Sequence, residues 1–129
     1  MIQIQTDAAF RQSTKESAAG IVFVKNKEQI PLKSSLKHCE SNHEAEFQAL
    51  IWGLKQVQAE LNDNEIIQIQ SDSEILVTSL QKQYAKHYQK EVDEILGLLP
   101  NLDMVFFIWI PDNKNKGPHQ LAWQVLNQD

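Results

Sequence analysis

The chain has one cysteine, Cys39, in 129 residues. An internal disulfide is therefore excluded, and so is a zinc site built on paired thiolates. A lone thiol fits a reducing compartment, and Cys39 reads as a structural or incidental residue. No apolar run approaches the ~20 residues of a membrane span. Ile2-Gln3-Ile4-Gln5 opens the sequence without a basic flank or a signal-type apolar stretch. The expectation is a cytoplasmic, monomeric protein with no membrane partner. Positive charge is also scarce: the formal net charge is -5. A domain that held nucleic acid by charge alone would be basic, so long-range attraction to phosphates should be weak here. A group of carboxylates that recruits cations remains compatible with this balance. No linker, low-complexity tract or internal boundary is visible, and the length suits one domain over residues 1–129.

Two short stretches echo each other. Residues 2–7 read Ile-Gln-Ile-Gln-Thr-Asp and residues 67–72 read Ile-Gln-Ile-Gln-Ser-Asp. Both alternate apolar and polar with period two, the pattern of a half-buried strand. In each, the aspartate shares a face with the glutamines and comes at the strand's C-terminal end. Six residues are too few for a duplicated unit, but they suggest two strands in equivalent positions. As parallel neighbours they would bring Asp7 and Asp72 together at one rim of the sheet. Ligands of open α/β sheets bind at that carboxyl-end rim.

A third acid stands out for its company. Glu46, Leu50, Gly53, Leu54, Val57 and Leu61 fall on one helical stripe. Glu46 therefore points where the core should be, with no Lys or Arg at helical spacing to meet it. A buried unpaired carboxylate costs several kcal/mol. Taken alone, Glu46 reads equally as a first-turn residue near the surface, where the helix N-terminus favours negative charge. Asn42 is the expected N-cap of this helix, and Asn62-Asp63-Asn64 its end.

The remaining elements follow from pattern. Ala8 to Ser17 reads as a polar loop without glycine. Ala19–Lys25 and Gln29–Leu36 read as a strand pair, with Pro31 favouring an edge position. Ser73–Leu80 is a short helix. A longer helix is expected over about Lys82–Leu99, with Tyr84, Tyr88, Val92, Ile95 and Leu99 inward. Lys82, Lys86 and Lys90 would lie on its far side, as a solvated face or a phosphate-contacting strip. Met104–Ile110 is evenly apolar, as a strand buried on both faces would be. Pro111–Pro118 reads as a loop and Gln120–Leu126 as a closing helix. Three strands, helix, strand, helices, strand and helix make a mixed sheet with helices on both faces.

This order of elements resembles type 1 ribonuclease H over essentially the whole chain. Ser41-Asn42-His43-Glu44-Ala45-Glu46 is similar to the family's Thr-Asn-Asn-Glu-Ala-Glu. Thr6-Asp7 and Ser71-Asp72-Ser73 match its other acidic motifs. Trp109-Ile110-Pro111 and Asn115-Lys116-Gly117-Pro118-His119-Gln120-Leu121-Ala122 resemble its last strand end and final helix start. The resemblance implies a ribonuclease H-like α/β fold with a five-stranded mixed sheet. It implies metal-dependent endonucleolytic hydrolysis of the RNA strand of RNA–DNA hybrids. Asp7, Glu46 and Asp72 would be catalytic and would hold divalent ions, Mg²⁺ or Mn²⁺, as hard oxygen ligands do. Two carboxylates ~5 Å apart repel by about 3 kcal/mol at an effective dielectric near 20, which a bound cation relieves. Ser41, Asn42 and His43 match positions that contact the hybrid's minor groove, where 2′-hydroxyls distinguish RNA.

Two departures matter. His119 stands where the family has its fourth acidic residue, so the catalytic and metal-binding set becomes Asp7, Glu46, Asp72 and His119. An imidazole brings one fewer negative charge and suits softer ions better than Mg²⁺. Asp112 would replace the missing carboxylate if its loop folds back. The loop after Asp7 lacks the family's glycines; Arg11 and Lys15 would offer charge to substrate instead. The alternative to an active nuclease is a weak or inactive module of the same fold that binds hybrid or double-stranded RNA.

Overall fold

The computed structural model describes residues 1–128. The sheet has five strands in the order β3-β2-β1-β4-β5. They are β1 (Ile2–Phe10), β2 (Ser17–Lys25), β3 (Glu28–Leu36), β4 (Ile67–Ser71) and β5 (Val105–Trp109). The helices are α1 (Asn42–Val57), α2 (Glu74–Lys82), α3 (Gln89–Gly97) and α4 (Lys116–Leu126), with short 3-10 turns at Gln58–Glu60, Leu102–Met104 and Asp112–Lys114. β1, β2 and β3 are antiparallel; β1–β4 and β4–β5 are parallel. The echoing hexapeptides are adjacent and in step: Ile2 pairs with Ile67, Ile4 with Ile69 and Gln5 with Gln70. The Gln5 side-chain amide donates to Gln70 Oε1 at 3.1 Å.

Period-two alternation divides the sheet's two faces. Ile2, Ile4, Ile67 and Ile69 are buried with Phe47, Leu50 and Leu54 of α1 and with Leu76, Leu80, Val92 and Ile95 of α2 and α3. Each such side chain contributes about 1.5–3 kcal/mol by burial. On the opposite face, Ala9 and Ala18 pack against Ala122 and Leu126 of α4. Close approach there depends on Gly20. A Cβ on it would fall on the Pro118 carbonyl and 2.8 Å from the Ala122 amide nitrogen.

Several elements differ from the sequence reading. β1 does not stop at Asp7 but runs on to Phe10, because Ala8, Ala9 and Phe10 pair with Ala19, Ala18 and Ser17. Only residues 11–16 turn the hairpin. The N-cap of α1 is Ser41, not Asn42: its Oγ accepts from the Glu44 amide at 3.1 Å. The helix expected over Lys82–Leu99 is broken. Gln83 adopts a left-handed conformation, φ 57°, that ends α2, and α3 starts afresh at Gln89. Lys82, Lys86 and Lys90 therefore share no helical face, and Tyr84 is 61% exposed. Tyr88 does turn inward and stacks on Phe47, ring centroids 4.8 Å apart. β5 is not buried on both faces; it is the sheet's edge, with Phe106 and Trp109 half exposed. α4 begins at Lys116, since Pro118 in its first turn needs no intrahelical amide donor. Pro31 does lie on an edge strand, β3. No helix among the described residues is long and apolar enough to cross a membrane.

Candidate metal centre

Asp7 sits on β1 opposite Gly20 of β2, two residues beyond the last pair joining β1 to β4. Asp72 directly follows β4. Its backbone is held on both sides. Ser71 Oγ accepts from the Ser73 amide at 3.0 Å, and the Trp109 indole donates to the Asp72 carbonyl at 3.2 Å. Glu46 arrives from α1, whose first turn is fixed by the Ser41 cap. Its stripe faces the sheet: Glu46, Leu50, Gly53, Leu54 and Val57 are all buried. Asp7, Glu46 and Asp72 each offer an oxygen, and these atoms lie within 4.8 Å of one another.

Electrostatics leaves this cluster unsatisfied. Glu46 is 5% exposed, and its Oε1 is buried without a hydrogen-bond partner. Burial, then the charges of Asp7 and Asp72, raise its pKa well above the usual carboxylate range. Asp7 is pushed up to about 6, first by burial and then by Asp72. Asp72 is raised by burial and by the charge of Asp112. Three acids that resist ionisation together, one with an orphaned oxygen, match the donor set of a hard divalent cation.

His119, in the second turn of α4, places Nδ1 3.0 Å from Asp7 Oδ2. It is bonded to one of the three acids rather than gathered into their set. α4 is tethered beside Asp7 by Asn115, which is fully buried and donates from Nδ2 to the Thr6 carbonyl at 2.9 Å. Sequence reasoning quoted Asn115 within a motif but gave it no role; its place four residues before His119 was the available signal.

The three acids line an open groove of about 920 Å³. Asn42, His43, Glu74, Trp109, Asp112, His119 and Trp123 also line it, and no Lys or Arg among the described residues does. Ser41, Arg11 and Lys15 stand apart from its wall. Ser41 Oγ, besides capping α1, lies 3.1 Å from Tyr88 Oη. Arg11 reaches Asn127 Oδ1 at 2.6 Å and pairs with Glu16 at 3.6 Å. Lys15 donates to the Glu40 carbonyl at 3.2 Å. Trp109 and Trp123 were not foreseen as groove residues; single apolar positions at a strand end and on a helix carry no such signal.

Comparisons with known proteins agree with this architecture. The family described as reverse transcriptase-like matches residues 5–125. A protein of Enterococcus faecalis named "Putative hydrolase EbsB" is 35% identical over 130 residues, spanning 99% of this chain and 96% of its own. Among solved structures, LC11 RNase H1 in complex with an RNA/DNA hybrid superposes with a TM-score of 0.83 at 24% identity, covering 98% of this chain and 97% of that one. RNase H1 of Halobacterium salinarum gives 0.79 at 19%, with the same coverage. The N-terminal RNase H domain of a Mycobacterium tuberculosis protein gives 0.80 at 20%, covering 98% and 93%.

Proposed function

The chain belongs to the reverse transcriptase-like family and has the ribonuclease H fold, and from that premise we propose that it is a metal-dependent endonuclease hydrolysing the RNA strand of RNA–DNA hybrids. The observation that carries the reading is the meeting of Asp7, Glu46 and Asp72 within 4.8 Å. A relative named "Putative hydrolase EbsB" and a hybrid bound to a protein of the same fold support it.

In this reading Asp7, Glu46 and Asp72 hold divalent ions, Mg²⁺ or Mn²⁺. Such ions, when bound, supply Lewis-acid charge at the scissile phosphate for an in-line displacement. The groove's own charge explains why they are needed. Among the described residues it is lined by five acids, Asp7, Glu46, Asp72, Glu74 and Asp112, and by no Lys or Arg, so an uncompensated groove repels a phosphodiester. Asn42 and His43 line the groove at the start of α1 and are the groups to read 2′-hydroxyls. His119 holds the Asp7 carboxylate from the α4 side. Lys82 and Lys86 line a shallow depression that shares Glu74 and Ile75 with the groove, giving phosphates a path away from the acids.

The test is cleavage of a labelled RNA–DNA hybrid with Mg²⁺ and with Mn²⁺. The reading requires that the chain cut the RNA strand and that Asp72→Asn not cut. A second reading, a module of this fold that binds hybrid or double-stranded RNA with weak or no cleavage, is supported by the sequence resemblance that sets His119 against the family's fourth acidic residue. Salt-dependent hybrid binding without cleavage by the wild type would establish it instead.

A further inference from the structure

The three-acid set carries less charge than a pair of divalent ions, and one ring nitrogen of the side chain that the resemblance sets against the family's fourth acid is already engaged. His119 Nδ1 is committed to Asp7 Oδ2 at 3.0 Å. Another carboxylate lies on the same groove. Asp112 opens the 3-10 turn after β5 and lines the groove beside Asp72, Trp109 and His119. We infer that Asp112 supplies the fourth carboxylate of the acidic site, and that His119 serves as a positioning residue for Asp7 rather than as an ion ligand.

Backbone bonds fix where Asp112 stands. β5 pairs with β4 up to Ser71 and Trp109, and the Ile110 amide then donates to the Ser71 carbonyl at 2.9 Å. The chain past Ile110 is thereby held against the segment that carries Asp72. Pro111 is extended, φ -67° and ψ 156°. The Lys114 amide closes on the Pro111 carbonyl at 2.9 Å and the Asn115 amide on the Asp112 carbonyl at 3.0 Å. Asn115 in turn is anchored to Thr6, next to Asp7. Asp112 is thus presented from a turn pinned at one end to β4, which leads into Asp72, and at the other to β1, which carries Asp7. Its side chain is exposed and free to close on a cation. The orphaned Oε1 of the buried Glu46 independently marks the cluster as built for a ligand. Two ions carry four positive charges; Asp7, Glu46, Asp72 and Asp112 match them, whereas a neutral imidazole in the fourth place leaves one uncompensated.

This inference rests on the metal-binding reading above, and Mn²⁺ binding without substrate separates the two. Calorimetry, with electron paramagnetic resonance counting free Mn²⁺, is run on the wild type and on the Asp112→Asn, Asp112→Glu, His119→Ala and Asp72→Asn variants. The expected wild type takes up two ions of unequal affinity. Asp112→Asn weakens the weaker one by roughly tenfold or more while the tighter one holds within about twofold. Asp112→Glu, which restores the charge, recovers it, and His119→Ala retains both. Asp112→Asn binding like wild type, or His119→Ala losing the weaker ion, overturns the assignment of Asp112 and leaves the nuclease reading standing. Wild type binding that Asp72→Asn does not disturb overturns both.

Discussion

Asp7 and His119, 112 residues apart in sequence, meet through Oδ2 and Nδ1 at 3.0 Å. The contact joins the central strand to the last helix. The residue that the sequence resemblance sets against the family's fourth acid thus bonds to Asp7 instead of repelling it. Substitution by a carboxylate should therefore act in two directions. His119→Asp adds a negative charge beside a buried acid, lowering the melting temperature of the metal-free protein. It also widens the rise in melting temperature on adding Mg²⁺ and increases Mg²⁺-supported cleavage. Thermal scans with and without Mg²⁺, read beside the cleavage rate, check this; an unchanged Mg²⁺ response would contradict it.

The acidic cluster makes stability depend on pH in a definite sense. Burial pushes the Asp7 carboxyl up to about 6 in the folded protein, from an ordinary value of 3.8. The folded protein therefore binds this proton more readily than the unfolded chain does. Its contribution favours folding below about pH 4 and is lost as pH rises through about 6. Chelator-treated Asp7→Asn should exceed wild type in stability at pH 7 by about 1–3 kcal/mol, and the two should converge near pH 4. Denaturant titrations of both proteins across this range measure the difference.

Glu46→Gln tests the same physics at the deepest of the three acids. Removing a charge whose Oε1 has no partner should raise the melting temperature of the metal-free protein. It should also shrink the stabilisation given by Mn²⁺ at pH 7, since binding to the folded state alone raises stability by mass action. A variant less stable than wild type without metal would show that the carboxylate is satisfied in some other way.

Gly20 sets how closely α4 approaches β2. Gly20→Ala would drive a methyl group into the Pro118 carbonyl and the Ala122 amide, which are backbone atoms that cannot rotate aside. A loss of roughly 1–3 kcal/mol is expected, together with separation of His119 from Asp7. Thermal melting gives the first. Loss of the perturbation in His119 ring resonances between wild type and Asp7→Asn gives the second.

For the reaction itself, Asp72→Asn should lower hybrid cleavage by at least about 100-fold, the scale of removing one electrostatic stabiliser. Hybrid binding in the absence of divalent ions should not fall, because the groove becomes less negative. A gel-shift assay in chelator, beside the cleavage assay, reads both.

Much of this architecture was legible because its signals are local. The paired Ile-Gln-Ile-Gln stretches suggested two strands in equivalent positions, and they are parallel neighbours with Ile2 on Ile67 and Gln5 on Gln70. The stripe from Glu46 to Val57 left Glu46 either inward or at the surface of the first turn, and the inward placement is the one found. What escaped depended on partners distant in sequence. Ala8, Ala9 and Phe10 have no polar alternation of their own, yet they extend β1 because the small residues Ala18 and Ala19 lie opposite. The apolar residues from Tyr84 to Leu99 sustain a helical stripe, which hid the left-handed turn at Gln83. An apolar run such as Val105–Trp109 does not report whether a strand will lie at the centre or the edge of its sheet. Lys116-Gly117-Pro118 reads as a loop until its proline is seen to occupy a first helical turn. The hydrogen bond from His119 to Asp7 has no sequence signal beyond the motif position.

The point where β1 and β4 part company has a mechanical consequence. Their ladder ends at Gln5 and Gln70, while β1 stays clamped to β2 past Asp7 and the chain turns into α2 just beyond Asp72. The two aspartates thus sit past the last rung that joins their strands to each other, Asp7 held by β2 and Asp72 by its bonds to Trp109 and around Ser71. The spacing of the two carboxylates is therefore set through β2 and β5, the outer neighbours of β1 and β4, so a substitution on either flanking strand reaches the acids without touching them.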